Sequence, residues 1–147
     1  MPYTVGLSLI TETHTFYITS PSNGKWFSHG NLLHHDYVNN KVVGMKIPYN
    51  AQPIAISIAN ARTPDIGYQS LTIEVFCSNN SNDTTSIESD SYRCGRAIFS
   101  NLEEQDTQTS FCDNIDTIQG GRCWGVRMTS FSGSNTNSIV KVYLSQV

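Results

Sequence analysis

The sequence predicts an all-β protein, an antiparallel β-sandwich of about ten short strands with one short helix near residues 101–106. Apolar and polar residues alternate with a period of two in many short segments, which is typical of half-buried strands. Clusters of Gly, Pro, Asn and Ser separate these segments. Charged residues make up only 14% of the 147 residues, against roughly 25% in an average soluble domain, so Ser, Thr and Asn supply the polarity. This length predicts one domain over residues 1–147.

The N-terminal third contains the first strands. Residues 3–10 alternate strictly, and residues 13–19 can pair back on them as a hairpin across Thr11 and Glu12. A turn signal at residues 21–24 precedes a short strand at 25–27. The sequence therefore predicts that the chain begins with a hairpin followed by a short third strand.

The central strands follow the same alternation. Residues 41–47 form one predicted strand, which residues 48–53 end with two prolines. Ile54, Ile56 and Ile58 fall on one face of the next strand, and Leu71, Ile73 and Val75 on one face of the strand after it. We expect these two sets to face the core.

The C-terminal third predicts the helix and the last two strands. A capping box of Ser100 and Glu103 predicts a helix of one or two turns near residues 101–106. Residues 125–129 and 139–144 are predicted strands, joined as a hairpin by the polar loop 132–137. The spacing of Trp26, Phe76 and Trp124 leaves a β-trefoil as an alternative fold, although the residues around them do not repeat.

Charge and hydropathy exclude several classes of function. Nine Lys and Arg against twelve Asp and Glu give a net charge of −3, and no basic stripe predicts nucleic-acid binding. No apolar run is long enough for a membrane-spanning helix. The opening residues carry no basic segment followed by an apolar stretch, so the sequence predicts no signal peptide in this chain. A signal removed earlier is compatible with the same sequence.

The four cysteines bear on the cellular compartment. They are Cys77, Cys94, Cys112 and Cys123, and none is spaced C-x-x-C, so a zinc site has little support. Of the three pairings that four cysteines allow, the local one joins Cys77 to Cys94 and Cys112 to Cys123. Disulfides predict a secreted, extracellular protein, and four reduced thiols in a cytosolic protein are the alternative.

Catalytic and metal-binding patterns are weak. His34 and Asp36 share a face of an extended strand while His35 points away, so the histidine-rich stretch predicts a polar loop rather than a metal site. Glu103 and Glu104 diverge on a helical turn and cannot flank a glycosidic bond. The sequence therefore predicts a protein that is not an enzyme and that uses no metal or cofactor.

Polar loops interleaved with aromatic residues favour sugar binding. An aromatic ring stacks on the apolar face of a pyranose, while amide, carboxylate and hydroxyl groups give directed hydrogen bonds. The candidate aromatic residues are Trp26, Tyr49, Tyr68, Tyr92 and Trp124. Tyr68 is the best placed of them, because it lies beside a surface Pro/Gly loop that also holds Asp65. Trp26 and Trp124 are predicted to lie in the core.

The order of these segments resembles the actinoporin-like superfamily. The run Arg122-Cys123-Trp124-Gly125-Val126-Arg127-Met128-Thr129-Ser130-Phe131, followed by Ile139-Val140-Lys141-Val142-Tyr143-Leu144-Ser145, is similar to the last two strands of that superfamily. Val5-Gly6-Leu7 followed by Thr15-Phe16 resembles its first hairpin. The resemblance implies a ten-stranded sandwich with flanking helices. It also implies sugar-binding roles for Asn60 and Arg62, which follow a central strand.

The same resemblance separates two kinds of function, because the superfamily includes sea-anemone pore-forming toxins and fungal fruit-body lectins. No amphipathic segment precedes Tyr3, and residues 61–70 hold one aromatic residue where the toxins carry a cluster that binds phosphocholine. We therefore expect a non-enzymatic lectin that binds cell-surface glycans or glycolipids. A membrane-lipid-binding cytolysin and an adhesin or receptor-binding head are the alternatives, and contact with a membrane surface and homo-oligomerisation stay open.

Overall fold

In a computed structural model, the described residues form an all-β protein. The described residues are 12–18, 23–29, 37–38, 41–42, 44–60, 68–81, 87–100, 107–133 and 138–147. Within these ranges there is no helix, and therefore none long and apolar enough to cross a membrane. The predicted all-β class is confirmed. The predicted strand at 3–10, the helix near 101–106, the loop 61–67 and the stretch His34–Asp36 lie outside the described residues.

The described residues form eleven strands. They are β1 (Glu12–Ile18), β2 (Ser28–His29), β3 (Tyr37–Val38), β4 (Lys41–Val42), β5 (Met45–Lys46), β6 (Ala51–Asn60), β7 (Tyr68–Ser78), β8 (Ser91–Ser100), β9 (Thr107–Phe111), β10 (Cys123–Gly133) and β11 (Ser138–Gln146). Four of them have only two residues, so seven strands build most of the molecule.

The strands form two main antiparallel sheets. One has the order β2-β1-β11-β6-β9 and the other the order β5-β10-β7-β8, while β3 and β4 pair by themselves. Residues from both main sheets share one hydrophobic core, an arrangement compatible with a β-sandwich. It does not correspond to the threefold β-trefoil that the aromatic spacing left open.

The core is built by the alternation seen in the sequence. Leu71, Ile73 and Val75 of β7 are buried, as predicted, and they share the core with Ile56 and Ile58 of β6. Ile54 is only partly buried. A bulge shifts the register beside it, so that Ala55 lies opposite Tyr143 and Pro53 opposite Leu144.

The two tryptophans are buried on opposite faces of one strand. Trp124 of β10 is fully buried in the main core. Trp26 packs with Ile87 and Cys123 in a second cluster on the other face of β10. Both tryptophans are therefore core residues, as the sequence predicts.

The last two strands do not form the predicted hairpin. β10 belongs to the four-stranded sheet, where it pairs with β7, whereas β11 lies between β1 and β6 in the other sheet. The chain between them therefore crosses from one layer to the other. A polar loop between two alternating segments is compatible with either connection, because alternation does not say which strands are neighbours.

Two further segments pass between the sheets along their edges. The backbone N–H of Phe27 donates a hydrogen bond to the Val126 carbonyl of β10, and the next residues form β2, which pairs with β1. On the opposite edge, the backbone N–H of Cys112 donates a hydrogen bond to the Ile54 carbonyl of β6. The next residue, Asp113, exchanges backbone hydrogen bonds with Arg96 of β8 in the other sheet. These crossings cover backbone groups that an open sheet edge would leave unpaired.

Candidate binding surface

The predicted ligand residues lie at different ends of the molecule. Asn60 ends β6 opposite Ser138, and Tyr68 begins β7 opposite Gly133, so these two backbones lie at the same end of the two sheets. Arg62 and Asp65 lie outside the described residues.

Tyr92 is not brought to that end. It lies opposite Cys77, which is at the other end of β7, about 30 Å from Tyr68 at the usual rise per residue. The Tyr92 hydroxyl donates to the Thr117 carbonyl at 2.6 Å, and the ring packs against the core. Tyr92 therefore fixes the segment before β10 and does not share a pocket with Tyr68.

The four cysteines are free thiols, which corrects the prediction of two disulfides. Cys112 directly follows β9, and its backbone N–H donates a hydrogen bond to the Ile54 carbonyl in the five-stranded sheet. Cys123 begins β10 in the other sheet and packs with Trp26 on the outer side of that sheet. The predicted Cys112–Cys123 pair is therefore divided between two layers of the molecule.

Cys77 and Cys94 are neighbours on adjacent strands. Cys94 is the extra residue of a bulge in β8, and both side chains are fully buried. A hydrogen bond from the Cys94 thiol, with smaller contributions that include the charge of Arg122, holds the pKa of Cys77 below its ordinary value in spite of its burial. The same contact, together with burial, raises the pKa of Cys94. The structure thus brings this predicted pair together as a thiol pair.

A polar cluster lies at one end of β1. Glu12 Oε2 lies 2.8 Å from His14 Nε2, an ion pair when the imidazole is protonated, and Glu12 also accepts a hydrogen bond from the Tyr49 hydroxyl. The His14 ring contacts Trp124 edge-on, with 5.3 Å between the ring centroids. Among the described residues, no group of three His, Cys, Asp or Glu side chains could hold a metal ion. We interpret the cluster as an anchor between β1 and the residues before β6.

The outer face of the five-stranded sheet carries a groove, which we call the sheet-face groove. Its floor follows β6, where the two residues that line it, Ser57 and Ala59, are both small. Larger side chains of β11 and β9 stand on either side of this floor. The lining consists of Ser57, Ala59, Thr107, Thr109, Ile139, Lys141 and Tyr143, and the volume is about 220 Å³.

Strand register arranges this face in three rows that cross β1, β11, β6 and β9. The first row is Tyr17, Ile139, Ala59 and Thr107; the second is Thr15, Lys141, Ser57 and Thr109; the third is Thr13, Tyr143, Ala55 and Phe111. Residues opposite each other on neighbouring strands have their Cβ atoms about 5 Å apart, so each row is a set of adjacent side chains.

The chemistry of the groove is mostly that of hydroxyl groups. Four of the seven lining side chains carry one, and the Ser57 and Tyr143 hydroxyls lie 3.1 Å apart. Tyr17 and Phe111 are aromatic residues at opposite corners of the three rows, and they are 43% and 67% exposed. The same sheet face thus carries hydroxyl groups in the groove and exposed aromatic rings outside it.

Sequence reasoning missed this groove, although one signal for it was present. Ala55, Ser57 and Ala59 alternate with the isoleucines of β6, so the sequence shows that the other face of that strand carries only small residues. The residues that stand beside it come from β9, about fifty positions away, and from β11, which is further along the chain. Their position depends on long-range pairing, which the alternation of a single strand does not specify.

Comparison with known proteins gives no relative for this chain, because no protein-family model, no curated protein and no solved structure matches it. The functional proposal therefore depends on the fold and on the sheet-face groove.

Proposed function

We propose that this protein is a non-enzymatic carbohydrate-binding protein that holds a glycan in the sheet-face groove. The observation that carries the proposal is the set of hydroxyl side chains on both sides of a floor of small residues, on an open sheet face. Cell-surface glycans or glycolipids are the proposed partners.

The lining matches the chemistry of a sugar. Ser, Thr and Tyr hydroxyls both donate and accept hydrogen bonds, as sugar hydroxyls do. Ile139 and Ala59 offer apolar surface inside the groove, and Tyr17 and Phe111 expose rings elsewhere on the same sheet face. A pyranose has polar edges and apolar faces, so a groove that offers both types of contact can orient the ring.

The size of the groove favours a ligand that lies across the surface. Its volume of about 220 Å³ is below the roughly 300–1,000 Å³ typical of enclosed small-molecule pockets. The two floor residues, Ser57 and Ala59, are about 7 Å apart at the usual rise per residue. We infer that a short stretch of a longer glycan occupies the groove.

The loop residues predicted from the sequence extend this proposal. Asn60 directly follows Ala59 of the groove floor, and Asn60, Arg62, Asp65 and Tyr68 stay proposed ligand residues. We also keep as proposals the ten-stranded, actinoporin-like form of the sandwich with a helix at 101–106, and the extracellular location. With four free thiols, disulfides no longer support that location.

A glycan array followed by titration of the best binder tests the proposal. Ala59 is exposed on the groove floor, so Ala59→Leu should fill the groove without disturbing the core. We expect this variant, and separately Thr109→Ala, to weaken binding by about fivefold or more, as expected for lost contacts of about 1 kcal/mol. Tyr92→Phe is the matched control and should bind like the wild type, because Tyr92 is far from the groove.

Two results would contradict the proposal in different ways. A folded protein that binds nothing on a broad array would remove the lectin function. Wild-type affinity in both groove variants would leave a lectin whose site lies elsewhere, such as the loop after Asn60.

A further inference from the structure

The sheet-face groove is lined on one side by a positively charged residue, Lys141. Lys141 is the second residue of the middle row, between Thr15 on β1 and Ser57 on β6, and its side chain is exposed. The three rows that cross this face contain no Asp or Glu. Lys141 has no ion pair with any residue in the described part of the chain.

This environment distinguishes Lys141 from two arginines of β8 on the other sheet. Arg93 pairs with Glu74 at 2.6 Å, and Arg96 pairs with Asp113 at 3.0 Å. Arg96 thereby holds the pKa of Asp113 below its ordinary value. The ammonium group of Lys141 stands instead among hydroxyl groups, which can donate further hydrogen bonds to an anion that it attracts.

We propose that the glycan bound in this groove is acidic, with a carboxylate or sulfate group placed against Lys141. This inference rests on the proposed carbohydrate-binding function and specifies its ligand class. The anion would lie over the middle row, where the Ser57 and Thr109 hydroxyls are within the same groove. A neutral sugar would leave the ammonium group without a charged partner.

Because the whole protein is negatively charged, Lys141 can attract an acidic glycan only at short range, inside the groove. The net charge of −3 repels polyanions at long range, so Lys141 does not act as part of a broad basic surface. Charge complementarity at one position selects among ligands more than it adds affinity. The preference for acidic glycans should therefore depend on this one side chain.

The test compares three oligosaccharides of equal length by titration calorimetry: a sulfated one, a carboxylated one without sulfate, and a neutral one. The proteins are the wild type, Lys141→Gln, Lys141→Arg and Lys46→Gln. Lys46 is an exposed lysine of β5 in the other sheet and serves as the matched control. Thermal unfolding of each variant shows whether it is folded.

We expect the wild type to bind at least one acidic probe about fivefold more tightly than the neutral probe, the ratio given by about 1 kcal/mol for an exposed ion pair. Lys141→Gln should lose this preference, Lys141→Arg should keep most of it, and Lys46→Gln should keep all of it. The acidic probe with the larger loss identifies the anion as carboxylate or sulfate.

The outcomes separate this inference from the function on which it rests. Equal binding of neutral and acidic probes by the wild type, or a preference that survives in Lys141→Gln, would overturn the acidic ligand and leave the lectin intact. Failure of the folded wild type to bind any oligosaccharide, on the array or in solution, would overturn both.

Discussion

At the scale of single residues, Gly44 shows why a predicted strand is broken. Residues 41–47 alternate, yet the structure has two short strands, β4 and β5, with Gly44 between them at a φ of +81°. A Cβ atom on Gly44 would lie 2.3 Å from the Trp124 carbonyl oxygen. The chain here needs both a left-handed backbone and the space that only glycine leaves.

We predict that Gly44→Ala destabilises the protein more than Gly121→Ala. Gly121 has the same φ of +81°, but nothing lies within 4 Å of a Cβ atom built there. Gly121→Ala should therefore cost about 1–2 kcal/mol for the left-handed backbone alone. Gly44→Ala adds a clash with the backbone and should cost about 3 kcal/mol or more. Urea unfolding measures both, and equal losses would contradict the role of the Trp124 contact.

At the scale of the element, β1 illustrates what alternation does and does not predict. The strand was predicted at residues 13–19 and is found at Glu12–Ile18, so its existence was readable from the sequence. Its described partners are β2 and the C-terminal strand β11. The pairing with β11 could not be predicted from the sequence. Local alternation shows which face of a strand is buried, but many strands of this chain share that pattern, so it does not show which of them lies beside β1.

The Glu12 carboxylate ties β1 to Tyr49. Burial raises the pKa of Glu12, but the Tyr49 hydroxyl and His14 outweigh this, so the pKa lies below its ordinary value of 4.5. Burial, together with Glu12, raises the pKa of Tyr49 to about 12. The charged carboxylate is thus the form that the folded state prefers.

This preference predicts how stability changes in acid. A carboxylate whose pKa is lowered by folding stabilises the protein above the unfolded value, and this stabilisation is lost as the pH falls through the folded pKa. The free energy of unfolding of the wild type should therefore fall more steeply below pH 4.5 than that of Glu12→Gln. The free energy of unfolding of Tyr49→Phe should also fall less steeply below pH 4.5 than that of the wild type, because Glu12 then loses the hydrogen bond from Tyr49. Parallel profiles for the wild type and Glu12→Gln, from chemical unfolding at a series of pH values, would contradict this account.

At the scale of the whole molecule, a continuous core replaces the disulfides that the cysteine spacing predicted. Cys77, Cys94 and Cys123 are buried as small apolar side chains within the hydrophobic clusters. A chain of this length buries roughly 68–70% of the surface that it exposes when unfolded, so it does not need covalent crosslinks to be stable. Cysteine spacing cannot distinguish a buried thiol from half of a disulfide.

We predict four alkylated cysteines when the protein is denatured and modified without a reductant, because all four are thiols. The midpoint of thermal unfolding should be the same with and without a reductant. Mass spectrometry counts the modified residues. Two modified cysteines, with a midpoint that falls on reduction, would show that Cys77 and Cys94 are joined after all.

The sequence by itself determined the all-β class, the inward faces of β7 and most of β6, and the burial of both tryptophans. These properties follow from local alternation and from the free energy of removing apolar side chains from water, and each strand carries that information alone. The tertiary structure decided which strands are neighbours, the separation of Cys112 from Cys123, and the position of Tyr92 far from Tyr68. It also decided the sheet-face groove, because a groove made of β6, β9 and β11 exists only once residues distant in the chain are paired in one register.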